Sequence, residues 1–495
     1  MTNVETAPSA PKTWQAHPES DHILQNTGAQ KTNAHFPKSV KIDTDPSERD
    51  GIDILTPDAQ RTAEHFLPIT RAALMDRLTN PNVWNEEDSR SVRRFFRYLD
   101  YWRHQNYAAK IIELEQSYEP FSPDTDLLLT RKYTDAELSQ MQQRILTDVE
   151  EILVQANYKR IDPTVISELL TRETHYGLDL EVDFNLFDEC LIYYRGASTR
   201  KDTRRALRKF GLKEEFDVPI FQRLFLLFKI KPIENRILEI IEAEDLPRKK
   251  ATQKAKKERA HLPTGLSEDN IYMKLFKNIP RTDVEMIFPN TKVKFRMFDK
   301  VKLGITGAGG LGVTGFSVAG KIAALSNPFT AVPVIGGVGA ALFRQVMNFS
   351  NTKQRYMVIM AQNLYFHSMA DNRSVINLLA DRAADEDVKE EMLLYAVLAK
   401  EKARKDELEE IDKAIEGYIK NEFGIEVDFD VDDAMQRLVA DGIVSESPDG
   451  FLVTRSPADA AEHLDSMWDV FLDNLPDVGP TEGYEAAADG SSVQS

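Results

Sequence analysis

The middle of the chain contains two uncharged runs, LGITGAGGLGVTGFSVAG (residues 303–320) and IAALSNPFTAVPVIGGVGAALF (residues 322–343), which only Lys321 separates. The runs are 18 and 22 residues long, and a helix that crosses a bilayer needs about 20 apolar residues. Asn327–Pro328 adds a turn signal. We therefore predict a two-helix transmembrane hairpin over residues 303–348.

Small residues recur at helical spacing along both runs. Seven of the 18 residues in the first run are glycine, and in water each glycine destabilises a helix by about 0.8–1 kcal/mol relative to alanine. In lipid, the same residues let two helix backbones approach closely. The pattern predicts transmembrane helix packing, either between copies of the chain in a homo-oligomer or between the two spans of one chain. The residues of this packing are Gly304, Ala308, Gly312, Gly315, Ala319, Gly336 and Ala340.

Basic residues lie on both sides of the predicted hairpin. Because the cytoplasmic flanks of membrane proteins are rich in Lys and Arg, both termini are expected on the cytoplasmic side. The first 55 residues lack the composition of an organelle transit peptide, so a bacterial plasma membrane is expected. The lipid bilayer is then a partner, and seven cations are interpreted as headgroup contacts, with a solvated loop face as the alternative: Arg204, Arg205, Arg208, Lys249, Lys250, Lys300 and Lys302.

The charge of the 495-residue chain is unevenly distributed around a net value of −18. Residues 381–495 contain 31 acidic and 10 basic residues, whereas residues 195–302 contain 27 basic and 15 acidic residues. The acidic total argues against general nucleic-acid binding. The single cysteine, Cys190, excludes a disulfide framework and any multi-cysteine metal site.

The remaining periodicity predicts an α+β fold that is mostly helical. Helical spacing and a capping box at Thr134 and Glu137 characterise the N-terminal part. Short aromatic and β-branched runs predict strands at residues 187–194, 223–231, 273–279 and 292–298. The predicted units are a disordered tail (1–55), a helical region (56–185), a mixed α/β basic region (186–302), the transmembrane hairpin (303–348), a helical connector (349–400), a winged-helix-like module (401–458), and a terminal helix with an acidic disordered tail (459–495).

The C-terminal module is predicted from three helical stretches followed by a hairpin. Its third helix begins after Asp428 and Asp430 and has only Arg437 as a cation. A helix that enters a DNA groove needs positive charge. We therefore expect no nucleic-acid partner, and a protein partner for this acidic module.

No catalytic arrangement stands out, so we expect no catalytic residue, no metal site and no cofactor. The nine histidines are scattered, and Cys190 lies in an apolar run typical of an inert core thiol.

Arg195, at the end of a strand and before a glycine, fits either an anion contact or a structural pair with a nearby Asp. The alternative function is a soluble nucleotide-binding enzyme that uses the glycine-rich loop at residues 307–312, although no acidic residue follows at the spacing that a dinucleotide fold requires.

Several blocks of the sequence resemble a known family. They are Tyr193-Tyr194-Arg195-Gly196, Leu275-Phe276-Lys277-Asn278-Ile279-Pro280, Asp283, Glu285 to Pro289, Tyr356, Leu364-Tyr365-Phe366, Lys389-Glu390-Glu391, Leu394-Tyr395 and Val427-Asp428-Phe429-Asp430. Over roughly residues 59–453 the chain is similar to the transmembrane protein 143 family, a domain of unknown function. The resemblance implies a membrane protein with two closely spaced spans, and it brings no established activity. The expected function is that of a membrane-anchored, non-enzymatic scaffold or interaction protein.

Overall fold

The computed structural model describes residues 64–124, 132–162, 179–205, 213–260, 262–294 and 364–475, together with residues 354, 358 and 361. The α-helices of these segments are α1 (Arg71–Leu78), α2 (Glu86–Tyr118), α3 (Asp135–Gln155), α4 (Ile233–Glu244), α5 (Arg248–Arg259), α6 (Arg373–Leu398), α7 (Leu408–Phe423), α8 (Val431–Ala440) and α9 (Pro457–Asp469). The strands are β1 (Lys159–Arg160), β2 (Asp179–Glu181), β3 (Phe187–Arg205), β4 (Lys213–Ile230), β5 (Ile271–Pro280), β6 (Lys292–Lys294), β7 (Ser368–Asp371), β8 (Ala403–Arg404), β9 (Val444–Glu446) and β10 (Phe451–Thr454).

Side-chain caps fix the starts of the N-terminal helices. Asn85 accepts a hydrogen bond from the backbone N–H of Asp88 at the start of α2, at 2.8 Å. The predicted capping box at α3 is confirmed: Thr134 accepts from the N–H of Glu137, and the Glu137 carboxylate accepts from the N–H of Thr134. These bonds satisfy backbone donors that the first helical turn leaves without partners.

The central sheet has five antiparallel strands in the order β1-β3-β4-β5-β7. Side chains alternate between its two faces, as strand geometry requires. On one face Tyr193, Phe225 and Leu275 pack with α2, α3 and α6. On the other face Tyr194 and Leu224 join a second apolar cluster. Helices therefore cover one side of the sheet, and this is the side that carries the candidate site.

Helix α6 lies between the sheet and the other helices and is buried over most of its length. Asn372 fixes its start to β5, because its N–H donates to the Met273 carbonyl at 2.7 Å and its Oδ1 accepts from the Met273 N–H at 3.2 Å. The buried part of α6 includes the charged residues Glu386, Asp387, Lys389, Glu390 and Glu391. A buried charge is tolerated only with partners, so the surroundings of this helix hold the main electrostatic features of the fold.

The first and last parts of the described chain share one hydrophobic core. Phe95 and Phe96 of α2 pack against Tyr395 of α6, with ring centroids 4.5 Å and 6.0 Å from that of Tyr395. Ile415 of α7 and Leu438 of α8 belong to the same core. The core therefore joins residues that lie more than 300 positions apart in the sequence.

The prediction of an α+β fold that is mostly helical is corrected to a mixed α/β fold. Strands β3 and β4 contain 19 and 18 residues, about twice the length that their apolar runs predict. Their extensions, residues 195–205 and 213–222, are rich in charged residues, and the register places Arg204 directly opposite Glu214. Such stretches leave no apolar pattern in the sequence from which a strand could be predicted.

The C-terminal part contains the three predicted helices and the predicted hairpin, in the predicted order. The first predicted helix is the end of α6, and α7, α8 and the β9–β10 hairpin supply the rest. Strand β8 adds to the hairpin, which gives a three-stranded sheet in the order β8-β10-β9.

The transmembrane hairpin is a wrong prediction on the present findings. No helix formed by the described residues is both long and apolar enough to cross a membrane, and residues 303–348 lie outside the described segments. The longest described helix, α2, has 33 residues and carries charges along its length, while the most buried one, α6, owes its burial to protein contacts. The two-span localisation and the membrane-anchored function are withdrawn with it, whereas the lipid interpretation of the seven cations stays a prediction. The glycine-rich loop at 307–312 and both predicted tails, apart from residues 459–475, also lie outside these segments.

Candidate functional site

A row of three cations crosses the central sheet. Arg195 on β3 lies directly opposite Arg223 on β4, and Arg223 lies directly opposite Lys277 on β5. Residues directly opposite each other in an antiparallel pair share a face, and like charges in such positions are destabilising. The sheet thus holds a concentration of positive charge that its own stability does not require.

The two arginines of this row line a small cavity. The cavity has a volume of about 140 Å³, below the roughly 300–1,000 Å³ of pockets for drug-sized ligands. It therefore has room for a small ligand or for one group of a larger ligand. Its walls are Phe66, Tyr158, Arg195, Gln222, Arg223, Leu275, Met369, Leu378 and Arg382.

Helix α6 brings a third arginine to the cavity. Leu378, Arg382 and Glu386 are spaced four residues apart, so they form one stripe along the helix. The Arg382 side chain is 47% exposed and lies 3.3 Å from Asp385. Arg382 therefore links the cavity to the solvent.

The three guanidinium groups differ in how far carboxylates neutralise them. Arg195 is 12% exposed and pairs with Glu386 at 2.8 Å, and Arg382 has Asp385. Among the described residues Arg223 has no carboxylate partner, and its NH1 donates to the backbone carbonyl of Gln222 at 2.8 Å. Burial, together with repulsion from Arg195 and Arg382, lowers the pKa of Arg223 and outweighs the opposing effect of Tyr158. Arg223 is the cation that most needs a bound anion.

Aromatic rings hold Arg195 in place. Its guanidinium lies 4.5 Å from the centroid of the Phe66 ring and 6.0 Å from that of Tyr158, which are cation–π distances. Burial raises the pKa of Tyr158, so its phenol stays neutral at physiological pH. With Glu386 behind it and two rings beside it, Arg195 forms a fixed wall of the cavity.

Gly196 makes room for another part of the wall. Its φ is +74°, a conformation that other residues rarely adopt. A Cβ atom added to Gly196 would lie 2.6 Å from Oε1 of Gln222. The glycine therefore lets Gln222 lie close to β3 and line the cavity beside Arg223.

The opposite side of α6 carries a saturated charge network. Arg437 of α8 lies 2.6 Å from Glu390, 2.8 Å from Glu391 and 3.3 Å from Asp387. Arg103 of α2 pairs with Glu391 at 2.8 Å and with Asp441. The hydroxyl of Tyr107 lies 2.9 Å from Asp387. This network ties α6 to α2 and to the C-terminal part.

Glu386 connects the cavity to the N-terminal segment. Besides Arg195, it contacts Lys389 at 2.6 Å and accepts from the N–H of Leu67 at 2.8 Å. Lys389 donates to the Leu67 carbonyl at 2.7 Å. The pair therefore satisfies both backbone groups of a buried residue just before α1.

The network contains more carboxylates than cations. Glu386, Asp387, Glu390, Glu391 and Asp441 pair with Arg103, Arg195, Lys389 and Arg437. Burial raises the pKa of Glu390 to about 8. Glu390 therefore holds a proton at neutral pH, which brings the buried charges into balance.

The structure separates the other predicted site residues. Lys249 and Lys250 are exposed on α5, and Arg204 and Arg205 end β3. Burial raises the pKa of the Cys190 thiol to about 12, which agrees with an inert thiol. Residues outside the described segments are Arg208, Lys300, Lys302, Gly304, Ala308, Gly312, Gly315, Ala319, Gly336 and Ala340.

Sequence reasoning singled out Arg195 but missed Arg223 and Arg382. The structure pairs Arg195 with a glutamate instead of the expected aspartate. Arg223 stood inside a predicted strand, and the register that places it opposite Arg195 was the missing information. Within the described segments no group of three metal-ligating side chains is close enough to hold a metal ion, so the cavity is defined by its cations.

Comparison with known proteins places much of this cavity in a recognised sequence region. No solved structure matches the chain. Five lining residues, Arg195, Gln222, Arg223, Leu275 and Met369, fall within one matched region. That region, residues 187–374, matches the model of a family described as a protein of unknown function, DUF3754.

Proposed function

We propose that the protein binds a small anion, a phosphate or carboxylate group, in the arginine cavity. The observation that carries this proposal is the convergence of Arg195, Arg223 and Arg382 on one cavity, in which Arg223 has no carboxylate partner among the described residues. The charged side chains on the opposite side of α6 are paired with one another. Since Arg223 lacks such a pair, the positive wall of the cavity points to a bound anion.

The chemistry of the wall favours a flat or tetrahedral oxyanion. A guanidinium presents several N–H donors in a fixed plane and binds carboxylate or phosphate through two parallel hydrogen bonds. The Gln222 amide adds a neutral polar group to the same wall. Leu275, Met369 and Leu378 line the remainder and lower the local polarity, which strengthens charge interactions.

The geometry assigns a separate role to each arginine. Arg195 is held by Glu386, Phe66 and Tyr158, so it supplies a preorganised donor. Arg223 supplies the unneutralised charge. Arg382 stands at the exposed side and contacts whatever part of the ligand extends toward solvent.

Calorimetry with inorganic phosphate as the probe tests this function in the full chain. Arg223→Gln removes the charge and keeps a polar side chain, and we expect about a 10- to 100-fold weaker affinity, the cost of one charge-assisted hydrogen bond. Arg248→Gln is the control, because Arg248 is 68% exposed and pairs with Glu234 on α4, away from the cavity. Equal affinities for the two variants, or no saturable phosphate binding to the wild type, would overturn the proposal.

We propose a protein contact for the acidic C-terminal module as a second function. The supporting observation is that Arg437, the only cation of α8, is engaged with three carboxylates and is 15% exposed, while Asp430 and Asp432 are exposed. The outer face of α8 is therefore acidic. A fluorescent oligolysine peptide should bind at low salt and lose affinity in an Asp430→Asn/Asp432→Asn variant, and a DNA duplex should not bind.

We also propose that the sequence blocks that resemble the transmembrane protein 143 family form a charged core common to that family. The quoted blocks on β3, β5 and α6 surround the cavity and the saturated network, which supports a common charged core. The proposal concerns these blocks alone and implies no membrane span. Substituting Glu391 should then disturb the fold, as a framework residue would.

A further inference from the structure

A second cavity lies between α2 and α9 and shares no lining residue with the arginine cavity. Its volume is about 260 Å³. Helices α2 and α9 pack together here, and a stripe of aromatic residues on α2 faces a tryptophan on α9. The lining residues are Tyr98, Tyr101, Trp102, Leu464, Asp465 and Trp468.

The aromatic residues of this cavity are unusually exposed for their size. Tyr101 is 61% exposed and Trp468 is 45% exposed. Large aromatic side chains on a surface contribute little to folding but much to recognition. Four aromatic rings around one cavity therefore suggest a binding site.

Charge indicates which ligand the rings receive. Asp465 brings a carboxylate to the wall, and Glu462 and Asp469 lie on the same exposed helix. The chain's own Arg94 already stacks over Tyr98, with 5.1 Å between the guanidinium carbon and the ring centroid. The three carboxylates thus oppose an anion in this cavity, and the Arg94 contact shows that the Tyr98 ring accepts a cation on its face.

We propose that this cavity, hereafter the aromatic cage, binds a methylated ammonium cation. Aromatic faces attract such cations through the ring quadrupole, and the methyl groups gain dispersion contacts with the rings. Asp465 supplies the balancing charge. Free choline and a trimethyl-lysine side chain of a peptide both present this chemistry.

Titration of the full chain with choline and with its neutral isostere 3,3-dimethyl-1-butanol tests the cage. The two probes have the same shape and differ in charge. We expect choline to bind about tenfold more tightly or better, since a desolvated cation–π contact is worth this much. Asp465→Asn should weaken choline binding and leave the isostere unchanged. Equal binding of the two probes would reduce the cage to an apolar groove and overturn the proposal.

Surface variants locate the binding. Trp468→Ala and Tyr101→Ala remove exposed rings, so the fold should tolerate them, and each should weaken choline binding about tenfold. Leu472→Ala is the matched control, because Leu472 is 74% exposed and does not line the cage. A loss in the control equal to that in Trp468→Ala would contradict the assignment.

Peptides distinguish the two sources of the cation. One arm compares a peptide with trimethyl-lysine against the same peptide with unmodified lysine, and the other uses free choline. If the trimethyl-lysine peptide binds more tightly than the unmodified peptide, or choline more tightly than its neutral isostere, the cage is supported. The probe that binds identifies the source of the cation. Failure of both methylated probes overturns it, whatever the result for phosphate at the arginine cavity.

Discussion

Arg437 and Arg223 both lie close to α6, but the side chains around them have opposite charges. Arg437 faces three carboxylates within 3.3 Å. Arg223 faces two other arginines across a cavity, with no carboxylate among the described residues. An arginine therefore stabilises the packing on one side of the helix, whereas on the other side an arginine carries a charge that no carboxylate of the described residues neutralises.

The difference separates stability from binding. Removing one partner of a saturated buried pair leaves uncompensated charge and destabilises the fold. Removing an unneutralised cation relieves repulsion and should do the opposite. Residues that a fold retains at a cost in stability are those that function requires.

The largest expected effect is at the saturated side. Arg437→Met would leave Asp387, Glu391 and the protonated Glu390 without their shared cation, and it should lower the free energy of unfolding by about 3–5 kcal/mol. Urea denaturation followed by circular dichroism measures the change. An exposed control, Arg248→Met, should stay within about 0.5 kcal/mol of the wild type.

If Arg437→Met does not fold, the double variant with Asp387→Asn removes one of the charged partners of Arg437 and should restore part of the stability. A loss below about 1 kcal/mol for the single variant would contradict the structural role of Arg437.

The pH dependence of the free energy of unfolding tests the Glu390 carboxyl group, which is one of the partners of Arg437. Glu390 has a pKa of about 8 in the fold against 4.5 ordinarily, so the folded state binds a proton that the unfolded state has lost. The contribution of Glu390 to the free energy of unfolding is complete below its pKa in the unfolded state. It is lost as the pH rises through its pKa in the folded state. Each pH unit within that window changes the free energy of unfolding by about 1.4 kcal/mol.

Glu390→Gln carries no ionisable group and should lose this slope. Between pH 6 and pH 8, the free energy of unfolding of the wild type should therefore decrease by about 2–3 kcal/mol relative to that of the variant. Denaturation curves for both proteins at several pH values provide the test. Parallel curves would mean that Glu390 is ionised in the fold at neutral pH.

A smaller effect is expected at the wall of the arginine cavity. Gly196→Ala places a Cβ against Gln222 in a left-handed conformation, and it should cost about 1–2 kcal/mol. It should also weaken phosphate binding, because Gln222 must move out of its place. In contrast Gly417→Ala, on α7 with nothing within 4 Å of the new Cβ, should stabilise the protein by about 0.5–1 kcal/mol.

The smallest effect has the opposite sign. In the absence of ligand, Arg223→Gln should raise the free energy of unfolding by about 0.5–1 kcal/mol, since it relieves repulsion from Arg195 and Arg382. Arg223→Lys keeps the charge and should show no such gain. A destabilised Arg223→Gln protein would show that Arg223 has a structural partner and would remove the contrast with Arg437.

Local signals in the sequence predicted local features well. The capping box at Thr134 depends on residues three positions apart, and the apolar parts of β3, β4 and β5 depend on neighbours along each strand. Such features need no knowledge of the rest of the chain. The candidate site was different, because Arg195 and Arg223 meet only through strand register, which a run of residues does not specify.

The charged stretch of α6 was the harder case. The sequence from Asp385 to Glu391 is typical of a solvated helix face, and its burial depends on Arg103, which is 288 positions from Glu391, and on Arg437, 46 positions away. No periodicity within α6 indicates those partners. Length and apolarity were likewise insufficient to establish a membrane span at residues 303–343.

The core that joins α2 to α6 has a consequence for synthesis on the ribosome. Phe95 and Phe96 emerge about 300 residues before Tyr395, which covers them. At about 5–20 residues per second, translation leaves these rings without their native neighbours for roughly 15–60 s. The nascent chain should therefore engage a chaperone such as a holdase during this interval, and slower translation of its second half should increase aggregation.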